Sequence, residues 1–265
     1  MAQHGTIRIG IGGWTYAPWR GAFYPDDLTQ KRELEYASTK LSSIEVNGTY
    51  YGSQKPASFR KWHDETPDDF VFALKGPRYA TNRRVLAEAG ESIDRFIDSG
   101  IGLLGKKLGP INWQFMATKK FDAEDFEAFL SLLPGEADGQ TLRHAVEVRH
   151  ESFCTPEFID LARKYGAAII TAGDSDYPSI GDQTGDFAYL RLMGTEERYK
   201  AGYGPKALDA WAGTAKSLSE GHMPDSLKTV SGQQAPGARD VFVYVIGGHK
   251  VANPLAAMEL IKRVG

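Results

Sequence analysis

The sequence predicts a single (β/α)8 barrel that spans residues 1–265, and three observations support this fold class. Eight short apolar runs of strand length occur along the chain. Most of them are followed by a segment in which apolar residues recur at helical spacing, an alternation typical of parallel strands joined by helical crossovers. The length of 265 residues is close to the ~250 residues of a barrel closed by eight such units.

An open, doubly wound sheet is the alternative arrangement of the same elements. Such a sheet usually carries a glycine fingerprint where it binds a dinucleotide. The glycines of Gly10-Ile11-Gly12-Gly13 have a different spacing, so the closed barrel is the predicted fold.

The first half of the chain contains four of the strand candidates and three helix candidates. Leu34, Ala37 and Leu41 recur at helical spacing, and Pro56 suits the first position of a helix. The glycine-rich region 100–109 gives no clear prediction. The predicted strands are 7–13, 42–46, 70–74 and 109–115, and the predicted helices are 28–41, a segment starting at Pro56, and 81–97.

The second half of the chain has clearer helix boundaries. Asp122 is a suitable N-cap for a helix that Pro134 would stop, and Thr155-Pro156 opens a helix that Gly166 would end. The predicted strands are 145–149, 167–171, 187–192 and 241–246, and further helices start at Pro205 and at Asn253-Pro254.

Two segments of the second half depart from this alternation. Residues 175–186 contain turn signals and no helical pattern, so the helix content is irregular after the sixth strand. Residues 221–240 are polar and contain Gly and Pro, which predicts a mobile loop within the barrel domain.

Composition argues against several classes of protein. The net charge is −3, whereas a protein that binds the nucleic-acid backbone is normally basic or carries a basic stripe. The single cysteine, Cys154, allows no internal disulfide, which is typical of a reducing compartment. Residues 1–6 are polar, and no apolar run approaches the ~20 residues of a membrane helix. The sequence predicts a cytoplasmic protein with no membrane partner, and it makes no prediction about oligomeric state.

The stretch 145–153 is the strongest indication of a functional site. Its apolar strand residues lead directly into Glu147, Arg149 and His150. A charge inside an apolar strand costs several kcal/mol unless it is paired. Other apolar runs of this chain also end in a charged or amide residue, and the carboxyl ends of barrel strands meet at one rim. We therefore expect these groups to pair with one another at that rim.

The alternation of side chains along a strand predicts which groups face the barrel interior. Glu147 and Arg149 should point the same way, as should Glu45 and Asn47. The residues between them, Val46 and Val148, should point to the opposite side.

The carboxylates of this rim are the candidate catalytic groups. Glu147 is the first choice for a general acid or base, Glu45 is the second carboxylate and Asp174 the third. Arg149 would lower the pKa of Glu147, whereas burial would raise it, and the sequence leaves open which effect is larger. Paired carboxylates beside aromatic residues would also suit glycoside hydrolysis.

The cations and glycines of the rim predict an anion site. Arg149 and Arg191 offer rigid forks for a carboxylate or a phosphate, and Lys75 is a charge partner rather than a Schiff-base lysine. Gly247-Gly248 lies between the last strand and the last helix, where such barrels often bind phosphate. The remaining ligand-binding candidates are Trp14 and Tyr16, which would stack on a ring, and Asn47, Gln114 and His150.

Three less specific interpretations remain open. The charges could form a mutually neutralising network that binds nothing, and Gly247-Gly248 could simply make a turn. His150 with the carboxylates could ligate a divalent metal. The sequence has no His-x-His spacing at this rim and places cations beside the carboxylates, so we predict neither a metal nor a cofactor.

Several ordered motifs resemble one known family. They are Gly13-Trp14-Thr15-Tyr16, Ile44-Glu45-Val46-Asn47, Leu108-Gly109-Pro110, Glu147-Val148-Arg149-His150 and Tyr189-Leu190-Arg191. Over nearly the full chain the set resembles the YecE-like proteins, the domain-of-unknown-function family 72. The resemblance implies a TIM-type barrel and no particular activity. Relatives usually end the last strand in Phe-Asn-Asn, whereas this chain has Ile246-Gly247-Gly248-His249, so a role of paired asparagines does not carry over.

The resulting hypothesis is a cofactor-independent acid–base enzyme of the hydrolase or lyase type. Its partner would be a small anionic, ring-bearing molecule with a phosphate or carboxylate group. A nucleic-acid-binding or nucleic-acid-processing barrel is the first alternative, and salt-dependent binding to oligonucleotides would reveal it. A non-catalytic sensor that uses the same pocket is the second, and it would return its ligand unchanged.

Overall fold

A computed structural model describes residues 4–232 and 237–265 of the chain. Within these residues, eight parallel strands close into one barrel, which confirms the predicted fold class and excludes the open sheet. Neighbouring strands follow one another in chain order, and the last pairs with the first. The strands are β1 Ile7–Gly12, β2 Ser43–Val46, β3 Val71–Lys75, β4 Leu108–Gln114, β5 His144–Glu147, β6 Ala168–Gly173, β7 Phe187–Leu192 and β8 Asp240–Val245.

Helices cover the outside of the barrel. The α-helices are α1 Glu33–Ser38, α2 Gly48–Tyr51, α3 Pro56–Asp64, α4 Arg78–Thr81, α5 Gly90–Ile97, α6 Ala123–Ser131, α7 Pro156–Lys164, α8 Pro205–Ser219 and α9 Asn253–Val264. Short 3₁₀ segments lie at Ala17–Trp19, Gln30–Arg32, Leu86–Ala89, Ile101–Lys107, Glu151–Phe153 and Lys250–Ala252, and a two-stranded hairpin joins Glu136–Ala137 to Gln140–Thr141. Within residues 4–232 and 237–265, no helix is both long and apolar enough to cross a membrane.

The predicted helix boundaries of the second half are confirmed. The carboxylate of Asp122 accepts a 3.0 Å hydrogen bond from the backbone N–H of Asp125, and the hydroxyl of Thr155 accepts one of 3.3 Å from Phe158. Each bond satisfies an N–H group that the first turn of a helix leaves without a partner. Gly166 follows α7 with a φ of 64°, the left-handed conformation that commonly ends a helix.

The helix predicted over 81–97 is confirmed from residue 86 onward and is wrong for residues 82–85. The 3₁₀ segment Leu86–Ala89 leads directly into α5. The side chain of Asp125, from a later segment, accepts hydrogen bonds of 2.6 and 3.2 Å from the backbone N–H groups of Leu86 and Ala87. A tertiary contact therefore satisfies the first N–H groups of this helical segment, in place of the preceding helical turn that the local pattern predicted.

The absence of a helix in residues 175–186 is confirmed. This segment is held against the barrel by hydrogen bonds such as the 2.9 Å bond from the Thr171 hydroxyl to the carbonyl of Ile180. The predicted mobile loop 221–240 includes residues 233–236, which lie outside the described residues, so its mobility stays a prediction.

The barrel interior is apolar near the amino ends of the strands. Side chains from alternate strand positions form a compact cluster there, including Val71, Ala145, Phe187 and Phe242. The Arg143 guanidinium lies 4.9 Å from the ring centroid of Phe242 at this end. The amino end is therefore filled, and the polar side chains of the interior collect at the carboxyl end.

Candidate functional site

Polar side chains from five strands form a layer above this apolar interior. Glu45, Lys75, Gln114, Glu147 and Arg191 each lie at or near the carboxyl end of a strand and face inward. Their exposed fractions are 0 % for both glutamates, 3 % for Arg191, 5 % for Lys75 and 8 % for Gln114. The sequence prediction that these groups converge is confirmed, and the two carboxylates lie deepest.

The predicted alternation along these strands is also confirmed. Val46 and Val148 are buried in the outer core between barrel and helices. Glu45 and Glu147 therefore face the interior because the period of a strand places alternate residues on opposite sides.

Arg191 bridges the two carboxylates. Its Nη2 donates a 2.9 Å hydrogen bond to Oε1 of Glu45, and its Nη1 donates to Oε2 of Glu147. Burial opposes ionisation of Arg191, but the two carboxylates raise its pKa above the usual value. Burial alone would raise the pKa of Glu45, whereas Arg191, Lys75 and a hydrogen bond from Tyr189 lower it overall. Arg191 and Glu45 are therefore held in their charged forms.

Two neutral side chains complete the surroundings of Glu45. The hydroxyl of Tyr189 donates a 2.6 Å hydrogen bond to Oε2 of Glu45, and the amide of Asn112 donates one of 3.2 Å to the same oxygen. Sequence reasoning missed both. Their positions in the strands were the available signal. Tyr189 lies two residues before Arg191 on the same face of β7, and Asn112 lies two residues before Gln114 on the same face of β4.

The amide oxygen of Gln114 is the meeting point of three cations. It accepts hydrogen bonds of 2.7 Å from Nζ of Lys75, 2.9 Å from Nη2 of Arg149 and 3.3 Å from Nη1 of Arg191. The Nε of Arg149 also donates a 2.7 Å bond to Glu147. We call Glu45, Lys75, Gln114, Glu147, Arg149 and Arg191 the mouth network. It contains three cations and two carboxylates, so it carries one excess positive charge.

Lys75 is the cation of this network that lacks a carboxylate partner. In the described parts of the chain its ammonium makes no ion pair within 4.0 Å. It lies 4.4 Å from the ring centroid of Tyr50 instead. Burial and the nearby Arg191 lower the pKa of Lys75 to about 8. An amine with a pKa this close to neutrality can exchange a proton under physiological conditions.

Arg149 is the most accessible charge of the mouth network. Its side chain is 18 % exposed, and its guanidinium lies 4.4 Å from the ring centroid of Tyr177. Sequence reasoning did not identify Tyr177, because the turn-rich segment that carries it shows no periodic pattern.

Asp174 and His150 lie outside the network. Asp174 is exposed and accepts a 2.7 Å hydrogen bond from the indole of Trp211. His150 accepts a 3.1 Å hydrogen bond from the backbone N–H of Ser152 and so caps the short 3₁₀ turn Glu151–Phe153. Their predicted roles in catalysis and ligand binding stay predictions.

The aromatic candidates are packed against other side chains. Trp14 makes an edge-on contact with Trp62 at a centroid distance of 5.3 Å. Tyr16 makes one of 5.3 Å with Trp19, and the ammonium of Lys250 lies 4.2 Å from the Tyr16 ring. Stacking on a ligand ring would compete with these contacts.

Asn47 and the glycine pair lie at loop positions of the rim. Asn47 is half-buried and directly precedes α2. The carbonyl of Gly247 accepts a 2.6 Å hydrogen bond from the hydroxyl of Thr195. Gly248 has a φ of 68°, and a Cβ there would overlap the backbone of Thr195. The close approach of these loops therefore requires glycine at 248, and binding of phosphate by the pair stays a prediction.

The single cysteine, Cys154, shows no sign of activation. The residue is exposed, but partial desolvation of its sulfur, together with the nearby Glu151, raises the pKa of the thiol. A raised pKa reduces the thiolate fraction that a nucleophile requires.

Comparison with known proteins identifies related sequences and folds. The family described as "Protein of unknown function DUF72" matches residues 8–265. The UPF0759 protein YecE of Escherichia coli K12 is 29 % identical over 150 residues, which cover 56 % of this chain and 50 % of that protein. The chain thus matches about half the length of this curated relative.

Solved structures show the same fold. A DUF72 family protein from Thermotoga maritima MSB8 has a TM-score of 0.75 and 23 % identity, with coverage of 97 % of this chain and 98 % of that one. The structure of SacUVDE has a TM-score of 0.55 and 11 % identity, with coverage of 98 % and 97 %. These likenesses concern the fold alone. Since the family match spans almost the entire sequence, this chain belongs to the DUF72 family.

Proposed function

We propose that the chain binds a small anionic molecule at the barrel mouth and acts on it by acid–base chemistry of the hydrolase or lyase type. The single observation that carries this proposal is the convergence of Lys75, Arg149 and Arg191 on the neutral amide oxygen of Gln114. Three cations beside two carboxylates leave a positive charge that a carboxylate or phosphate would balance.

The roles within the network follow from burial. Glu45 and Glu147 are fully buried and bonded to Arg191. We therefore assign them to holding the guanidinium groups in place and charged, rather than to direct proton transfer as the sequence suggested for Glu147. Arg149, the most accessible cation, would bind the anionic group first.

Lys75 is the group that we assign to proton transfer. Its pKa of about 8 makes both protonation states available near neutral pH. An anion bound beside it would stabilise the ammonium form, and release of the product would restore the lower pKa. The ring-bearing part of the expected substrate is not retained, because Trp14 and Tyr16 already contact other side chains.

The test is a screen of phosphorylated and carboxylated metabolites by calorimetric titration, followed by product analysis of each ligand. We expect saturable binding that Arg149→Met weakens at least tenfold, and turnover that Lys75→Met abolishes. Arg163→Met is the matched control, because Arg163 pairs with Asp160 near the end of α7 and is remote from the mouth network. Absence of binding to any anion, or equal loss in the control, would refute the proposal. A ligand that binds at the mouth but is returned unchanged would favour the sensor.

A further inference from the structure

We propose that a basic groove beside the barrel mouth is a docking surface for single-stranded nucleic acid. The groove is formed by the segments that follow β2, β3 and β4, and it is separate from the mouth network. We define the basic groove by the residues Tyr51, Arg78, Tyr79, Arg83, Arg84, Arg95, Lys119 and Lys120.

Two adjoining cavities form this surface. One has a volume of about 550 Å³ and lies between α2, α4 and α5, and the other, of about 470 Å³, lies between α4 and the segment after β4. Asn82 and Arg83 line both cavities. They therefore form one continuous depression rather than two isolated sites.

The charge of the groove differs from that of the whole chain. The two cavities are lined by six cations and one carboxylate, Glu91, although the chain as a whole has a net charge of −3. Within the described residues, Arg78, Arg84 and Lys120 have no carboxylate within 4.0 Å. A segregated surface of this sign attracts a polyanion, and the unpaired cations can neutralise phosphates without first breaking an ion pair.

Exposed apolar side chains concentrate at the same surface. Five large hydrophobic residues are exposed in the described chain. Tyr79 and Met116 line the two cavities, and Tyr51 and Val85 directly adjoin the lining residues Gly52 and Arg84 in sequence. Tyr51 and Tyr79 are 65 % and 59 % exposed. Aromatic rings between cations in a groove are the arrangement that binds single strands, since bases stack on the rings while phosphates meet the cations.

The shape of the surface favours a single strand over other polyanions. A duplex keeps its bases stacked on one another, so it would leave Tyr51 and Tyr79 without partners. A flat anionic membrane would contact only the rims of the depression and would not reach Arg83, which lines both cavities. A flexible single strand can follow the depression and contact both its cations and its aromatic rings.

The groove also reaches the barrel mouth. Tyr51 contacts Tyr50 edge-on at a centroid distance of 5.1 Å, and the Tyr50 ring lies under the ammonium of Lys75. The hydroxyl of Tyr50 donates a 3.5 Å hydrogen bond to Asn82, which lines the groove. A strand bound in the groove would thus bring one nucleotide next to the mouth network.

The test is fluorescence anisotropy of the full chain with a labelled 15-nucleotide oligothymidylate at 50 and 200 mM salt. We expect saturable binding that weakens at the higher salt. Tyr79→Ala should weaken binding about tenfold through loss of stacking, and Arg78→Glu should weaken it further while reducing the salt dependence.

The chain provides a matched control for these variants. Lys164 and Tyr165 are also an adjacent cation and exposed ring, with the same 5.3 Å separation as Arg78 and Tyr79, but they lie at the end of α7. Lys164→Glu and Tyr165→Ala should leave the affinity unchanged. No binding of the oligonucleotide would overturn the proposal. An equal loss of affinity in the control variants would also overturn it. So would an affinity for a duplex, or for anionic phosphatidylserine vesicles, that equals the affinity for the single strand. Persistent binding by Lys75→Met would show that the groove acts independently of the proposed acid–base function.

Discussion

The ammonium of Lys75 donates a 2.7 Å hydrogen bond to the amide oxygen of Gln114, although two buried carboxylates lie in the same layer. A neutral acceptor stabilises a cation less than a carboxylate does. Burial and Arg191 lower the pKa of Lys75, and the neutral Gln114 adds no negative charge to offset them, so the mouth network keeps its excess positive charge. Four predictions follow from this arrangement and from the loops around it.

Replacement of Gln114 by glutamate should remove the excess charge. In Gln114→Glu we expect the pKa of Lys75 to rise from about 8 toward the ~10.4 of a free lysine, because a carboxylate would now accept its hydrogen bond. Affinity for a small anion at the mouth should fall at least tenfold. The pH dependence of lysine acetylation, followed by mass spectrometry, measures the first effect and calorimetry the second. Tight anion binding by this variant would contradict the charge argument.

Loss of Arg191 should destabilise the fold severely. Arg191→Met would leave Glu45 and Glu147 buried without their shared cation, and breaking a buried ion pair costs about 3–5 kcal/mol. Urea denaturation measures the free energy of unfolding. Arg163→Met removes a largely exposed pair with Asp160 and should cost about 1 kcal/mol or less. Similar losses in both variants would show that the bridge of Arg191 contributes little.

The stability of the protein should rise with pH above 8 because of Lys75. Its pKa is about 8 in the folded chain and ~10.4 when unfolded, so between these values the unfolded chain binds more protons. Stability therefore increases as the pH rises through this window, by up to about 3 kcal/mol for this group. The measurement is the difference in unfolding free energy between the wild type and Lys75→Met at pH 7 and pH 9.5. The variant should be relatively more stable at pH 7, and a constant difference would contradict the lowered pKa.

Gly248 should tolerate no side chain. Its φ is 68°, and a Cβ would overlap the backbone of Thr195, so Gly248→Ala should destabilise the protein by more than about 1 kcal/mol. Gly213 is exposed within α8 and has open space around its Cα. Gly213→Ala should therefore stabilise the protein by as much as about 1 kcal/mol. Thermal unfolding measures the stability of both variants. Equal changes in stability would refute the requirement for glycine at 248.

Sequence patterns correctly predicted the helices and strands whose ends are determined by residues within the same segment. The helix at Pro156 was correct at both ends because Thr155 caps it and Gly166 ends it within the segment itself. The helix predicted over 81–97 begins only at residue 86, where Asp125, about 40 positions later, binds its first backbone N–H groups. No periodicity within a segment can report a contact of that kind.

For the candidate site, too, some features could be predicted from the sequence and others could not. Alternation along strands predicted that Glu147 and Arg149 point the same way, and barrel topology placed them at one rim with Glu45 and Arg191. The sequence could not show that Arg191 bridges the carboxylates or that Gln114 collects three cations. Those facts depend on the distances between strands that are up to 146 positions apart in the chain.

The sequence by itself therefore determined the barrel, the direction of its side chains and the rim where charges meet, because each follows from the local period of apolar and polar residues. The tertiary structure alone decided which charges pair, since Coulomb energies and hydrogen bonds depend on distances of a few ångströms and on burial. It also decided that Lys75 has no carboxylate within 4.0 Å among the residues that the structure describes. The basic groove likewise depends on the tertiary structure, because its residues come from the segments after β2, β3 and β4, which lie side by side only in the folded barrel.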